Sequence, residues 1–269
     1  MKIVIKIGGD LLKEDKPNIS LIEDLKDFSK KESIIIVHGG GDRVTEIATK
    51  LGKEQKFVIS PEGFKSRYTD RETVEIYAMV MAGEINTKIV GILQSYGINA
   101  IGLSGFDGGL LRAKRKERIV IIDEEGRKRA IDGGFTGKIT LVNEKLLELI
   151  IVNGYVPVIS PLAMGENFEP LNVDGDRTAS AIAKAIKADY LIFLTDVEGV
   201  IIDNKIINKI RIEEIEEILK KIGPGMSTKV HAAIEAVKNG VNKAIITSGF
   251  IDNPLKRAIE ERSGTIICH

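Results

Sequence analysis

Five short runs rich in Ile and Val, at 33–37, 98–103, 156–160, 190–195 and 243–247, alternate with amphipathic stretches at 21–30, 73–95, 144–153, 178–186 and 231–239. Continuous apolar runs of that length suit strands buried on both faces, and the helix-length segments between them supply the crossovers that parallel strands require. The alternation predicts an α/β fold: a mainly parallel central sheet sandwiched between helices, with ligands collecting at the carboxyl ends of the strands. Two small hairpins are expected besides, 118–122 with 127–131 around Asp123-Glu124-Glu125-Gly126, and 200–202 with 206–207 around Asp203-Asn204-Lys205. Both read as lids or partner surfaces. A chain of 269 residues, 43% of them hydrophobic, can build one large domain or two fused lobes.

Lys plus Arg and Asp plus Glu number 39 each, a balance that gives no support for a nucleic-acid or membrane-surface partner. The only cysteine, Cys268, has no partner for an intrachain disulfide. The first apolar segment carries two lysines and stops at Gly8, so neither a signal peptide nor a membrane-length apolar run is expected. These features point to a reduced, soluble, cytoplasmic protein.

Against that background one charge stands out. Lys6 lies within the apolar segment Lys2-Ile3-Val4-Ile5-Lys6-Ile7, immediately before Gly8-Gly9. Desolvating an ammonium is costly unless an anion meets it, and paired glycines let a ligand approach the backbone closely. A lysine in an edge strand could equally extend its ammonium into solvent. A second glycine cluster, His38-Gly39-Gly40-Gly41, follows an apolar run and opens a helix from Asp42; the amides of such a helix start can hold a carboxylate or phosphate, although a plain tight turn explains the same pattern. Gly223-Pro224-Gly225-Met226-Ser227-Thr228-Lys229 is a glycine-rich approach to a helix that places a lysine in the first turn, against the helix dipole unless an anion compensates. Asn172-Val173-Asp174-Gly175-Asp176 precedes a helix near Arg177, and either aspartate could cap it. A carboxylate there could also hold both lysines. Gly133 to Ile139 contains Gly-Lys, but its glycine spacing and the Ile after Lys138 exclude a P-loop, and no G-x-G-x-x-G fingerprint is present.

Taken in order, Lys6-Ile7-Gly8-Gly9, His38-Gly39-Gly40-Gly41, Arg67-Tyr68-Thr69-Asp70, the glycine-rich segment from Gly102 to Gly109, Asn172 to Asp176, Thr195 to Gly199 and Gly225 to Lys229 resemble the amino acid kinase superfamily and, within it, the N-acetylglutamate kinase branch. Tyr68 stands where acetylglutamate kinases usually have a hydrophobic residue, Ser104 where they usually have Cys, and Asp10 where a small or apolar residue is usual. These departures look most like the kinases acting on aminoadipate or glutamate tethered to the amino-group carrier protein LysW. A conventional N-acetylglutamate kinase is the alternative, and a non-catalytic amino-acid sensor on the same fold is the alternative of another class; retention of both lysines and Asp176 argues against the sensor.

The resemblance implies ATP-dependent phosphorylation of a side-chain carboxylate, with Mg2+ bridging the phosphates and few direct protein ligands to it. An ionised carboxylate needs no general base, so the small histidine count is no obstacle. Lys6 and Lys229 would stabilise the transferring phosphoryl group from either side and Asp176 would orient them. Gly8, Gly9, Gly40 and Gly41 would offer backbone amides, and Arg67 and Asn172 would hold the substrate's α-carboxylate and amide. Thr195, Asp196, Gly199, Gly225 and Met226 would form the nucleotide pocket. The acceptor-binding and dimerisation lobe is placed at 1–180 and the ATP-binding lobe at 181–269 of one continuous domain, acting as a homodimer. The basic run Arg112, Lys114, Arg115 and Lys116, with Arg127-Lys128-Arg129 in the hairpin, is expected to dock an acidic carrier, a solvated basic face being the ordinary alternative.

Overall fold

A computed structural model describes residues 1–8, 11 and 18–269. Eight strands form the main sheet, in the order Lys209–Arg211, Thr265–Cys268, Lys243–Ser248, Tyr190–Thr195, β1 (Lys2–Ile7), β2 (Ser33–His38), Val156–Ile159 and Ala100–Leu103. Every neighbouring pair is parallel except Lys243–Ser248 with Thr265–Cys268. The five apolar runs all become strands of this sheet, as their continuous hydrophobicity requires. β1 pairs with Tyr190–Thr195 on one side and β2 on the other, so the edge-strand reading of Lys6 is wrong: it stands in the middle of the sheet.

Side-chain alternation assigns the two faces. Ile3, Ile5, Ile34 and Ile36 bury against α1 (Ile19–Ser29), which contributes Leu21, Ile22 and Leu25. Val4, Ile35, Val37 and Phe193 bury on the opposite face with Ala179, Ile182 and Ala183. Lys6, two residues on from Val4, shares that second face.

α2 (Gly41–Lys50) follows β2. A continuous helical segment then comprises α3 (Arg71–Ala78), a π-helical stretch at Met79–Ile85, and α4 (Asn86–Ser95). It is long and apolar enough to cross a membrane by length and composition alone, as core helices also can be. Here its apolar side packs within the fold: Ile76, Tyr77, Val80 and Met81 meet Val44 and Ala48 of α2, and Ile89 and Leu93 lie on the sheet. α5 (Glu144–Val152), α6 (Gly175–Ala185), α7 (Ile215–Leu219), α8 (Pro224–Lys238) and α9 (Pro254–Ile259) complete the α-helices among the described residues.

Both expected hairpins form, each with its return strand shifted by one residue: Lys205 belongs to a strand rather than to the turn, and the strand expected at 127–131 runs over 128–132. Ile201–Ile202 turns back onto Lys205–Ile206 through Asp203 and Asn204, at φ 50° and 59°, as a two-residue hairpin of matching twist demands. Arg118–Ile122 pairs with Lys128–Asp132, but in a four-stranded sheet that also contains Phe57–Ile59 and Lys65–Arg67. Another small sheet joins Pro170–Asn172, Leu162–Met164, Leu111–Arg115 and Gly137–Val142. The basic run at 112–118 is thereby divided between two sheets.

Candidate active site

Where β1, β2 and the start of α6 meet, three charged side chains converge. The Asp174 carboxylate caps α6, accepting from the Arg177 amide at 2.8 Å, which leaves Asp176 in the first turn facing inward and buried. One Asp176 oxygen lies 3.0 Å from the Lys6 Nζ, and the other accepts a hydrogen bond of 2.9 Å from the Lys229 Nζ. The Lys6 contact is a close ion pair without hydrogen-bond alignment. Burial by itself raises the Asp176 carboxyl, but Lys6 and then Lys229 outweigh it and hold the group below the ordinary carboxylate range. Asp174, although exposed at the helix start, is pushed the other way by partial desolvation among the surrounding segments and then by the neighbouring charge of Asp176. Two ammonium groups thus share one ionised carboxylate and retain capacity for a further anion.

Lys229 is the sixth residue of α8, which begins at Pro224. It therefore lies in the second turn rather than the expected first. Its partner Asp176, more than the helix dipole, accounts for the charge.

The glycine turns border this triad. The Gly8 amide donates to the Leu194 carbonyl at 3.2 Å; Gly9 and Asp10 lie outside the described residues. Gly40 has φ 152°, a conformation that favours glycine, and a Cβ there would overlap the Ile85 side chain. Gly41 opens α2, whose first turn no side chain caps, so its amides face outward for an anion. A Cβ on Gly175 would stand 3.6 Å from Lys6 Cε and 3.7 Å from the His38 carbonyl oxygen, a measure of how closely the three segments approach.

Arg67 reaches this turn from its hairpin strand, its Nη2 donating to the Gly41 carbonyl at 2.7 Å and to the Thr45 hydroxyl at 2.9 Å, while Nη1 bonds Gln55. Asn172 donates to the Thr69 hydroxyl at 2.9 Å. The segment 133–136, dismissed as a P-loop, supplies a wall here: the Phe135 amide donates to the Thr69 carbonyl at 2.6 Å and the Asn172 amide to the Phe135 carbonyl at 2.9 Å. Arg71 and Arg115 stack over the Phe135 ring at 5.5 and 4.5 Å. Sequence reasoning missed this role, for which the paired glycines at 133–134 were the available signal; a Cβ on Gly134 would overlap the Thr69 carbonyl.

On the other side, the Thr195 hydroxyl donates to Asp196 at 2.9 Å at the end of its strand. A Cβ on Gly199 would stand only 2.7 Å from the Thr265 hydroxyl, so close packing of this turn against Thr265 requires glycine. Gly225 and Met226 lie in the first turn of α8, the former exposed with open space around it and the latter packed against the core edge.

The basic run is only partly brought together. Lys114 stands directly across from Lys138 in the antiparallel pair, and Arg112 lies 5.5 Å over the Phe168 ring. Lys116 is pulled down by desolvation and then by the Arg177 charge. Arg115 turns elsewhere, donating to the Gly134 carbonyl at 2.5 Å and pairing with Asp132 at 3.5 Å. Arg127 is engaged by Asp123 and Glu125.

A parallel sheet whose carboxyl edge carries glycine turns and a lysine–aspartate–lysine triad defines an α/β phosphotransferase. The chain belongs to the amino acid kinase family, whose profile matches residues 1–248. It is 49% identical over 266 residues to the LysW-aminoadipate/LysW-glutamate kinase of Sulfolobus acidocaldarius, covering 98% of this chain and 99% of that one. It is 48% identical over 268 residues to the protein of the same name from Saccharolobus solfataricus, with 99% of each covered. In fold it is similar to the N-acetylglutamate synthase of Neisseria gonorrhoeae complexed with coenzyme A and N-acetyl-glutamate, at TM-score 0.82 and 19% identity, covering 100% of this chain and 59% of that one. The carbamate kinase of Giardia lamblia bound to AMP-PNP superimposes at TM-score 0.67 with 18% identity, over 99% of this chain and 98% of that one.

Proposed function

We propose that this kinase phosphorylates the side-chain carboxylate of aminoadipate or glutamate carried on the protein LysW, in the biosynthesis of lysine and arginine. The observation that carries the reading is near-complete coverage at 49% identity with a kinase of that name, in a chain whose two lysines and Asp176 are assembled. The acceptor would be handled by 1–180 and the nucleotide by 181–269, in a cytoplasmic homodimer.

The chemistry is electrostatic at its centre. An ionised carboxylate must approach the γ-phosphate in line, and two unit charges at 4 Å repel by about 4 kcal/mol at an effective dielectric near 20. Lys6 would meet the transferring group from the acceptor side and Lys229 from the nucleotide side, with Asp176 holding both ammonium groups where the charge develops. The amides of Gly40 and Gly41, with Gly9, would receive phosphoryl oxygens; the Gly8 N–H, expected to join them, is already committed to the Leu194 carbonyl. Arg67 and Asn172 would hold the acceptor, and Thr195, Asp196, Gly199, Gly225 and Met226 would line the nucleotide pocket. ATP would enter with Mg2+ on its phosphates: the described residues contain no cluster of three metal-binding side chains, and both Asp176 oxygens already face lysines. Bound there, Mg2+ would neutralise charge on the triphosphate.

The decisive assay offers carrier-linked glutamate, carrier-linked aminoadipate and free N-acetylglutamate in parallel. Turnover of a carrier-linked substrate at a kcat/KM at least about tenfold above the free one is expected, a difference of about 1.4 kcal/mol; equal or better use of N-acetylglutamate would reverse the reading. Docking falls to Arg112, Lys114 and Lys116, with Lys138 added and Arg115 assigned to the Phe135 wall. Lys114→Glu combined with Lys116→Glu should raise the KM for carrier-linked substrate roughly tenfold at low salt and leave the KM for ATP alone, since long-range attraction fades with ionic strength. An unchanged KM at low salt would remove the docking role.

A further inference from the structure

Behind the glycine turn lies a buried polar chain that touches neither lysine of the triad. Asn86, the first residue of α4, donates through Nδ2 to the Val158 carbonyl at 2.9 Å and meets His38 Nε2 at 3.1 Å. The His38 Nδ1 in turn lies 3.0 Å from the Gly39 carbonyl oxygen. The Val158 carbonyl accepts only, so it fixes the amide orientation of Asn86 with nitrogen inward; that nitrogen can only donate to His38. His38 Nε2 must therefore be the acceptor, and the proton sits on Nδ1, where it donates to the Gly39 carbonyl. Burial acts against an imidazolium and, with the Gly39 carbonyl opposing it and the Lys6 charge adding to it, lowers the His38 pKa to about 4.

The consequence falls on the next peptide. In a trans peptide the carbonyl and the following N–H point in opposite directions, so anchoring the Gly39 carbonyl on His38 turns the Gly40 N–H away from the imidazole. The π-helical stretch ends just before Asn86 and brings Ile85 against Gly40. Gly102 leaves the space that the Asn86 side chain fills, since a Cβ there would overlap its oxygen. Ile85 thus presses the turn from one side while His38 pins its carbonyl from the other.

We infer that His38 and Asn86 are positioning residues for the phosphoryl-binding turn, orienting the Gly40 amide through the Asn86–His38–Gly39 chain. This rests on the reading of that turn as the phosphoryl cradle. An asparagine at 38 can present an amide N–H near the Nδ1 position, whereas leucine cannot. His38→Leu is therefore expected to lower kcat about a hundredfold with the KM for ATP within twofold, and His38→Asn to recover most of that loss, because sub-ångström misplacement of a catalytic dipole costs rate rather than nucleotide affinity. Independently of activity, nitrogen NMR of 15N-histidine-labelled protein at neutral pH should show His38 with hydrogen on Nδ1 alone, assigned by its loss in His38→Asn, and Asn86→Ala should weaken that preference without reversing it, because the Gly39 carbonyl still accepts from Nδ1. An Nε2–H tautomer in the wild-type protein would overturn the inference whether or not the leucine variant folds. So would a His38→Leu enzyme within threefold of wild-type kcat, or an asparagine variant as slow as the leucine one. Because Lys6 is tested separately, a normal loss in Lys6→Ala alongside an indifferent His38→Leu would reject the positioning role and keep the phosphoryl-transfer site.

Discussion

Lys6→Ala is expected to lower kcat about a thousandfold while changing the KM for ATP by less than about threefold. A thousandfold loss corresponds to about 4 kcal/mol of transition-state stabilisation, the scale measured for removal of one preorganised charge donor from a buried site. The fold should survive, because Asp176 keeps Lys229 as a partner at 2.9 Å. Lys6→Arg should not rescue, because a planar guanidinium has a different shape and hydration from an ammonium and cannot place its charge where the Lys6 Nζ meets Asp176. Steady-state kinetics with saturating ATP and a thermal melt of each variant check this. A loss below tenfold in Lys6→Ala would sink the proposed mechanism.

Asp176→Asn should damage both stability and rate. Removing the carboxylate charge leaves two buried or half-buried ammonium groups facing a neutral amide, and uncoupling a buried ion pair in this way typically costs about 3–5 kcal/mol. The lysines should also separate, lowering kcat by about a hundredfold or more because neither is then held at the developing charge. The pH dependence has a definite sign. Asp176 has its carboxyl lowered in the folded state, so its stabilising contribution is present above the unfolded carboxylate pKa and is lost as pH falls through the lower folded value. The gap between wild-type and Asp176→Asn unfolding free energies should consequently be widest near neutrality and close on strong acidification. Denaturant titrations at a series of pH values read it directly; a gap that is absent at neutral pH, with kcat within tenfold of wild type, would show that Asp176 does not organise the lysines.

Much of the scaffold was legible because burial on both faces leaves a plain mark. Tyr190–Thr195 matches its apolar run residue for residue, and Ser33–His38 and Lys243–Ser248 extend theirs by a single position. The small sheets were less so. Phe57–Ile59 and Lys65–Arg67 are three residues each and largely exposed, too short for a period-two pattern to rise above the surrounding loop. Leu111–Arg115 and Gly137–Val142 carry charges through the strand, and the same charges that marked a docking surface concealed a sheet. The basic run then proved to be two populations, because alternating strand positions send Arg115 to Phe135 and Lys114 to the side shared with Lys138.

By itself the sequence determined the α/β class, the central strands and the residue types for a phosphoryl site, since hydrophobic periodicity and glycine placement are local properties of a chain. Only the tertiary structure decided that Lys6 is central rather than at an edge, that Asp174 caps while Asp176 pairs, and that Lys229 reaches the same carboxylate from the second turn of its helix. Only it revealed Asn86 behind His38. Those facts depend on which strands neighbour one another and on where each helix enters the sheet, and nothing in local periodicity encodes a distance between residues so far apart in the chain.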